Sequence, residues 1–187
     1  LPPFEGVAAG QTAIANLPIG RRYHSLNITY AGVTLAQMNE IRVRLNGEIV
    51  HRYTGTQRDT MNKFEGRNAA AGILVIPFDR YNLLQRDAEE FTAINTGSRD
   101  EQGRMISTFT VEIDVDAAAV GTALSLTAEQ SEQKAGGLGV IMRVKKREVS
   151  LIDGLELENL AGGISGQNPA AQLLNKIYFA SANVSSV

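Results

Sequence analysis

Met105-Ile106-Ser107-Thr108-Phe109-Thr110-Val111-Glu112-Ile113-Asp114-Val115-Asp116 carries the strongest periodic signal in the chain. Met105, Ser107, Phe109, Val111, Ile113 and Val115 fall on one face. Ile106, Thr108, Thr110, Glu112, Asp114 and Asp116 fall on the other. A period of two with one apolar face is the pattern of a half-buried antiparallel strand. Working outward, Ile41, Val43 and Leu45 alternate with Arg42, Arg44 and Asn46 in the same manner. Asn46-Gly47 then separates this run from Glu48-Ile49-Val50-His51-Arg52-Tyr53. Both Asn and Gly tolerate positive φ, so the pair predicts a two-residue type I′ hairpin.

Further strands are expected at Thr12–Leu17, Tyr23–Tyr30, Ile73–Phe78, Ala123–Ala128 and Val140–Val149, with Gly and Pro between them. Two short helices are expected. One covers Leu35–Asn39, capped by Thr34; the other covers Arg58–Phe64, capped by Asp59 or Thr60. Arg86–Ile94 is ambiguous between helix and strand. Short strands at near-regular spacing, without β-α-β alternation, predict an all-β jelly-roll sandwich rather than a parallel sheet. Phe64, Phe78, Phe91 and Phe109 are assigned to its core.

The sequence has 187 residues, 43% hydrophobic and 20% charged, enough apolar content for a core. Beyond the first domain, residues 134–139 read as a Gly-rich linker and residues 140–187 as an incomplete second β region. In that region Leu155–Leu160 and Lys176–Val187 are strand candidates. Asn168-Pro169 opens a short helix reaching about Leu174. A strand so near the end of the sequence, in so short a region, suggests a chain that continues past Val187.

Composition excludes several functions. The absence of cysteine rules out disulfides, thiolate zinc sites and a thiol nucleophile. With only two histidines there is no three-His metal cage. Tryptophan is absent, and a net charge of −2 gives no general basic footprint for nucleic acid. No run of about 18 apolar residues offers a membrane-spanning helix. Leu1-Pro2-Pro3-Phe4-Glu5 has neither a basic n-region nor an apolar h-region and is not read as a signal peptide. Assembly in the cytoplasm is the compartment expected.

Candidate sites are sparse, and no residue is assigned a catalytic or cofactor-binding role. Glu112, Asp114 and Asp116 point the same way from one strand and form a candidate calcium site, since hard cations take oxygen ligands. The competing reading is a solvated strand face or a charged edge that blocks strand addition. His24 and His51 lie in separate strands without a Gly-x-Ser-x-Gly elbow; Gly163-Ile164-Ser165-Gly166 has the wrong spacing. They are read as structural. Gly136-Gly137-Leu138-Gly139 lacks the Gly-Lys-Ser or Gly-Lys-Thr ending of a phosphate loop. Arg143, Lys145 and Arg147 share a strand face and form the one basic cluster, suited to an anionic surface or to solvent.

Val7-Ala8-Ala9-Gly10, Leu17-Pro18-Ile19-Gly20, Tyr30-Ala31-Gly32-Val33-Thr34 and Val43-Arg44-Leu45-Asn46-Gly47 occur in that order. Val111-Glu112-Ile113-Asp114-Val115-Asp116-Ala117-Ala118-Ala119 and Val140-Ile141-Met142-Arg143 follow. Together they resemble the major capsid protein of corticoviruses, tailless icosahedral bacteriophages with an internal membrane. The resemblance covers residues 5–150 and continues more faintly to 187. It implies a double jelly roll, with residues 1–133 as the first jelly roll and 140–187 as the opening of the second. It also implies homotrimers tiling an icosahedral shell by lateral contacts, other capsid proteins as partners, an internal membrane nearby, and location in the virion. No specific nucleic acid partner is expected. The alternative is a jelly-roll module that binds carbohydrate or a receptor, which the scarcity of aromatic platforms disfavours. A cupin-type enzyme would need a His-rich metal cluster that two histidines do not supply.

Overall fold

Alternating side chains, read in space, produce two antiparallel sheets closed face to face. The computed structural model describes residues 1–79, 92–100 and 103–132. The described strands in chain order are β1 (Thr12–Asn16), β2 (Arg22–Ala31), β3 (Met38–Leu45), β4 (Glu48–Tyr53), β5 (Ile73–Pro77), β6 (Ile94–Asn95), β7 (Phe109–Val115) and β8 (Ala123–Ser131). One sheet has the order β1-β7-β3-β4. In the other, β2 pairs with β5, β6 and β8. Since β8 runs along the whole of β2, β5 and β6 meet the opposite edge of β2 at successive positions. Between successive described strands the chain changes sheet five times out of seven, and this wrapping produces the expected all-β jelly-roll architecture.

The inner faces supply one core. Val111 and Ile113 of β7 and Ile41 and Val43 of β3 are fully buried against Leu26 and Ile28 of β2 and Leu74 and Ile76 of β5. Tyr23 of β2 meets Phe109 of β7 edge to face at 4.8 Å, joining the sheets through a ring pair. The Tyr23 hydroxyl offsets the cost of its desolvation by donating to the Pro18 carbonyl at 2.6 Å.

The β3–β4 hairpin is the one expected: Asn46 has φ 50° and Gly47 φ 81°, both positive as a type I′ turn requires. Thr34 caps a single 3-10 turn, Leu35–Gln37, shorter than the expected helix. Helix α1 spans Gly55–Phe64, so it starts three residues before the expected Arg58. Its cap is Thr54, not Asp59 or Thr60. Thr54 Oγ1 accepts from the Gln57 amide at 3.1 Å, and the Gln57 side chain accepts from the Thr54 amide at 3.0 Å. This reciprocal pair stabilises a helix start that includes a glycine. On the inner side of α1, Arg58 donates to Asn62, and Asn62 donates to the Val75 carbonyl at 2.8 Å, fastening the helix to β5.

Two core expectations change. Phe64 is 78% exposed at the end of α1, whereas Phe78 and Phe109 are buried. The long strand starts at Phe109 rather than Met105, and the alternation breaks ahead of it: Ile106 is buried and Met105 exposed. The reason is local. The Asn46 side chain takes the main-chain amides of Ser107 and Thr108, so those groups do not join a ladder.

Ile94–Asn95 is strand, resolving part of the ambiguous stretch; its residues 86–91, including Phe91, lie outside the described residues. So do the linker 134–139, the whole of 140–187, the basic cluster and both glycine-rich segments considered above.

Candidate assembly surface

β1, β7, β3 and β4 present an outer face whose charges sit in register. Arg42 stands opposite Glu112 on β7 and opposite Arg52 on β4. Its Nε donates to Glu112 at 2.6 Å, and its two terminal nitrogens donate to the two oxygens of Asp114 at 2.6 and 2.8 Å. Arg44 reaches the other oxygen of Glu112 at 2.9 Å. Arg52 and Arg42 both approach Glu40. From β1, Thr12 donates to Asp114 at 2.7 Å. Three guanidiniums and three carboxylates, with the Thr12 hydroxyl, thus tie four strands into one mutually neutralising wall.

Electrostatics follow this geometry. The hydrogen bonds from Arg42 hold the Asp114 carboxyl below its ordinary range, with Thr12 adding to the effect against the opposing pull of burial. Arg42 is held more firmly in its charged form, chiefly by Asp114. Glu112 and Asp114 alternate with the buried residues of β7 as expected, whereas Asp116 lies one residue past the strand, and the three side chains are directed to different partners. Asp116 accepts from Asn39 at 3.2 Å and from the Ala118 amide at 2.8 Å, closing the turn after β7. Those two bonds, the amide first, lower its pKa. Among the described residues no group of three or more His, Cys, Asp or Glu is arranged to hold a metal ion.

The histidines occupy different environments. His51 is buried in the core, with ring contacts to Phe78 at 5.3 Å and Tyr53 at 6.2 Å. His24 lies at the β2–β8 irregularity, its Nδ1 3.3 Å from Asp79 and its Nε2 2.9 Å from Ser131. Arg67 also binds Asp79, at 3.1 Å. Burial pushes the Asp79 carboxyl up, but the hydrogen bonds from His24 and Arg67 outweigh it and leave the pKa below the ordinary value. These groups tie β2, the end of β5 and the end of β8 together. The sequence reading missed both this cluster and the role of Arg42 and Arg44. The arginines were visible as the polar half of an alternating strand, but the acidic partners that bind them at hydrogen-bond distance, Glu112 and Asp114, lie some seventy positions away.

Over 127 residues the chain is 30% identical to the major capsid protein P2 of Pseudoalteromonas phage PM2, covering 67% of this chain and 46% of that protein. The crystal structure of that phage's major capsid protein P2 superposes with a TM-score of 0.63 at 28% identity, covering 72% of this chain and 50% of the other. The chain therefore spans about half the length of these relatives. Residues 1–131 match the family described as the viral coat protein P2 N-terminal domain, and the chain belongs to that family.

Proposed function

We propose that this chain is a structural coat subunit of a membrane-containing bacteriophage or prophage, and not an enzyme. The observation that carries the reading is the family match over residues 1–131, the same stretch that folds into the paired sheets. The physics supports it. A shell subunit needs broad preformed walls, and the ion-paired outer face is held rigid by its own cross-strand bonds rather than left for a small ligand. In this reading residues 1–133 form the first jelly roll, 134–139 the linker, and 140–187 the start of a second. Three copies associate through ring-closing contacts, of the heterologous kind that a threefold axis requires. Trimers then contact one another and other capsid proteins above an internal membrane, after assembly in the host cytoplasm.

Analytical ultracentrifugation of the full-length protein tests the subunit arrangement. A trimer that persists on dilution supports it; a strictly monomeric species at all concentrations overturns it.

A further inference from the structure

Asn46-Gly47 is the single Asn-Gly pair in the sequence. Such a pair is chemically labile because glycine leaves its main-chain nitrogen unshielded by a Cβ. That nitrogen can attack the Asn side-chain carbonyl carbon. A bond forms between the Gly47 nitrogen and Asn46 Cγ, and the bond from Cγ to Nδ2 breaks. The Gly47 amide proton departs with Nδ2 as ammonia. Water then opens the succinimide ring to aspartate or isoaspartate.

The fold places this pair at a clasp. Gly47 is exposed, with open space where a Cβ would stand. Asn46 is half-buried, and both ends of its amide are engaged. Nδ2 donates to Asp100 at 2.9 Å and to the Met105 carbonyl at 3.1 Å. Oδ1 accepts from the Ser107 amide at 2.8 Å and from its hydroxyl at 3.1 Å. Asp100 is itself fixed by Arg104, at 2.8 Å to the main chain and 2.9 Å to Nε. One side chain thus pins residues 98–100 and 103–108 to the β3–β4 hairpin, although Gly103, Arg104 and Met105 are exposed.

We propose that Asn46 is a deamidation site gated by this clasp. While the segment is docked, the leaving nitrogen is held by two acceptors and the amide cannot turn toward Gly47. When the segment lifts, the reaction proceeds. The product cannot restore the clasp, because a carboxylate at position 46 faces the Asp100 carboxylate in place of a donor. Deamidation is then a one-way loosening of this end of the sandwich, set by how often the segment opens.

The test follows Asn46 by peptide mapping that resolves aspartate and isoaspartate, in full-length protein held at mildly alkaline pH. Asn46 is expected to react slowly in the folded wild type and fastest in urea. Asp100→Ala is expected to raise the folded rate by at least about fivefold, because it removes the Asn46 bond together with both Arg104 bonds that hold the segment closed. A folded wild-type rate equal to that in urea, or no acceleration in Asp100→Ala, overturns the proposal. Hydrogen exchange on Asn46→Asp gives an independent readout: faster exchange confined to residues 98–100 and 103–108 supports the clasp, and unchanged exchange there contradicts it.

Discussion

The guanidinium of Arg42 lies fork to fork on the carboxylate of Asp114, with nitrogen–oxygen distances of 2.6 and 2.8 Å across the β3–β7 pair. Bidentate geometry adds direction to attraction, because a planar fork meets a planar carboxylate in one orientation. Arg42 is 16% exposed and Asp114 32%, so the pair is partly shielded from solvent on the arginine side. Arg42→Ala leaves Glu112 and Asp114 side by side without their shared cation. It should lower stability by about 2 kcal/mol, read as a fall in thermal midpoint. Arg42→Lys should recover only part of that loss, because an ammonium cannot engage both carboxylates in this geometry. Equal midpoints for wild type and Arg42→Ala would mean that the wall is not held by these bonds.

Acid should weaken the fold through the same carboxylates. Asp114, Asp79 and Asp116 have folded pKa values below their ordinary value, and hydrogen bonds from Asn46 and Arg104 lower Asp100 from 3.8 to about 2. A group with a depressed folded pKa contributes stability that is fully present above its unfolded value and fades as pH falls through the folded one. Stability should therefore be flat on this account above about pH 5 and decline from about pH 4 toward pH 2. Urea melts across that range would detect it. Asp114→Asn should flatten the slope, and an unchanged slope would remove Asp114 from the explanation.

Two glycines separate backbone strain from close approach. Gly20 and Gly32 both have positive φ, 86° and 67°. A Cβ at Gly20 meets nothing within 4 Å, whereas one at Gly32 would lie 2.2 Å from the Gly121 carbonyl oxygen. Gly20→Ala should cost about 1 kcal/mol, for the left-handed conformation alone. Gly32→Ala should cost about 3 kcal/mol or more, because the turn joining β7 to β8 must also move. Similar melting midpoints for the two variants would contradict the close approach.

Calcium binding at Glu112, Asp114 and Asp116 would require the Arg42 fork to open. Millimolar calcium is therefore expected to leave the wild-type melting midpoint in place. In Arg42→Gln the guanidinium is gone, and one oxygen of Glu112 and both of Asp114 lose their cationic partner, which is the oxygen chemistry calcium prefers. That variant should gain a calcium-dependent rise in midpoint. A rise in the wild type as large as in the variant would show that the arginine does not guard the face.

The strands and the hairpin could be read from the sequence because their causes are local. Alternation set which side of β3 and β7 faces inward, and Asn46-Gly47 set the turn between β3 and β4. Pairing across the molecule had no such local cause. Nothing near Glu112 announces Arg42, and nothing near His24 announces Asp79 or Ser131, because the sheet order brings them together. Thr54 is the cap although a glycine, a poor helix former, follows it; the Gln57 side chain folding back onto the Thr54 amide supports that start. Phe64 was placed in the core by residue type alone, although it sits at the last position of a helix whose buried side is carried by Arg58 and Asn62. Of the three carboxylates, Glu112 and Asp114 lie in β7 and meet guanidiniums from another strand, whereas Asp116 falls in the turn beyond it.

The coat-subunit reading is tested most directly by composition and imaging of particles purified by density gradient from the cells that make this protein. The account predicts that the chain is a dominant protein of lipid-containing icosahedral particles, with trimeric capsomers resolved in the shell. Recovery of such particles without this chain, or of the chain only as a free protein, would contradict it.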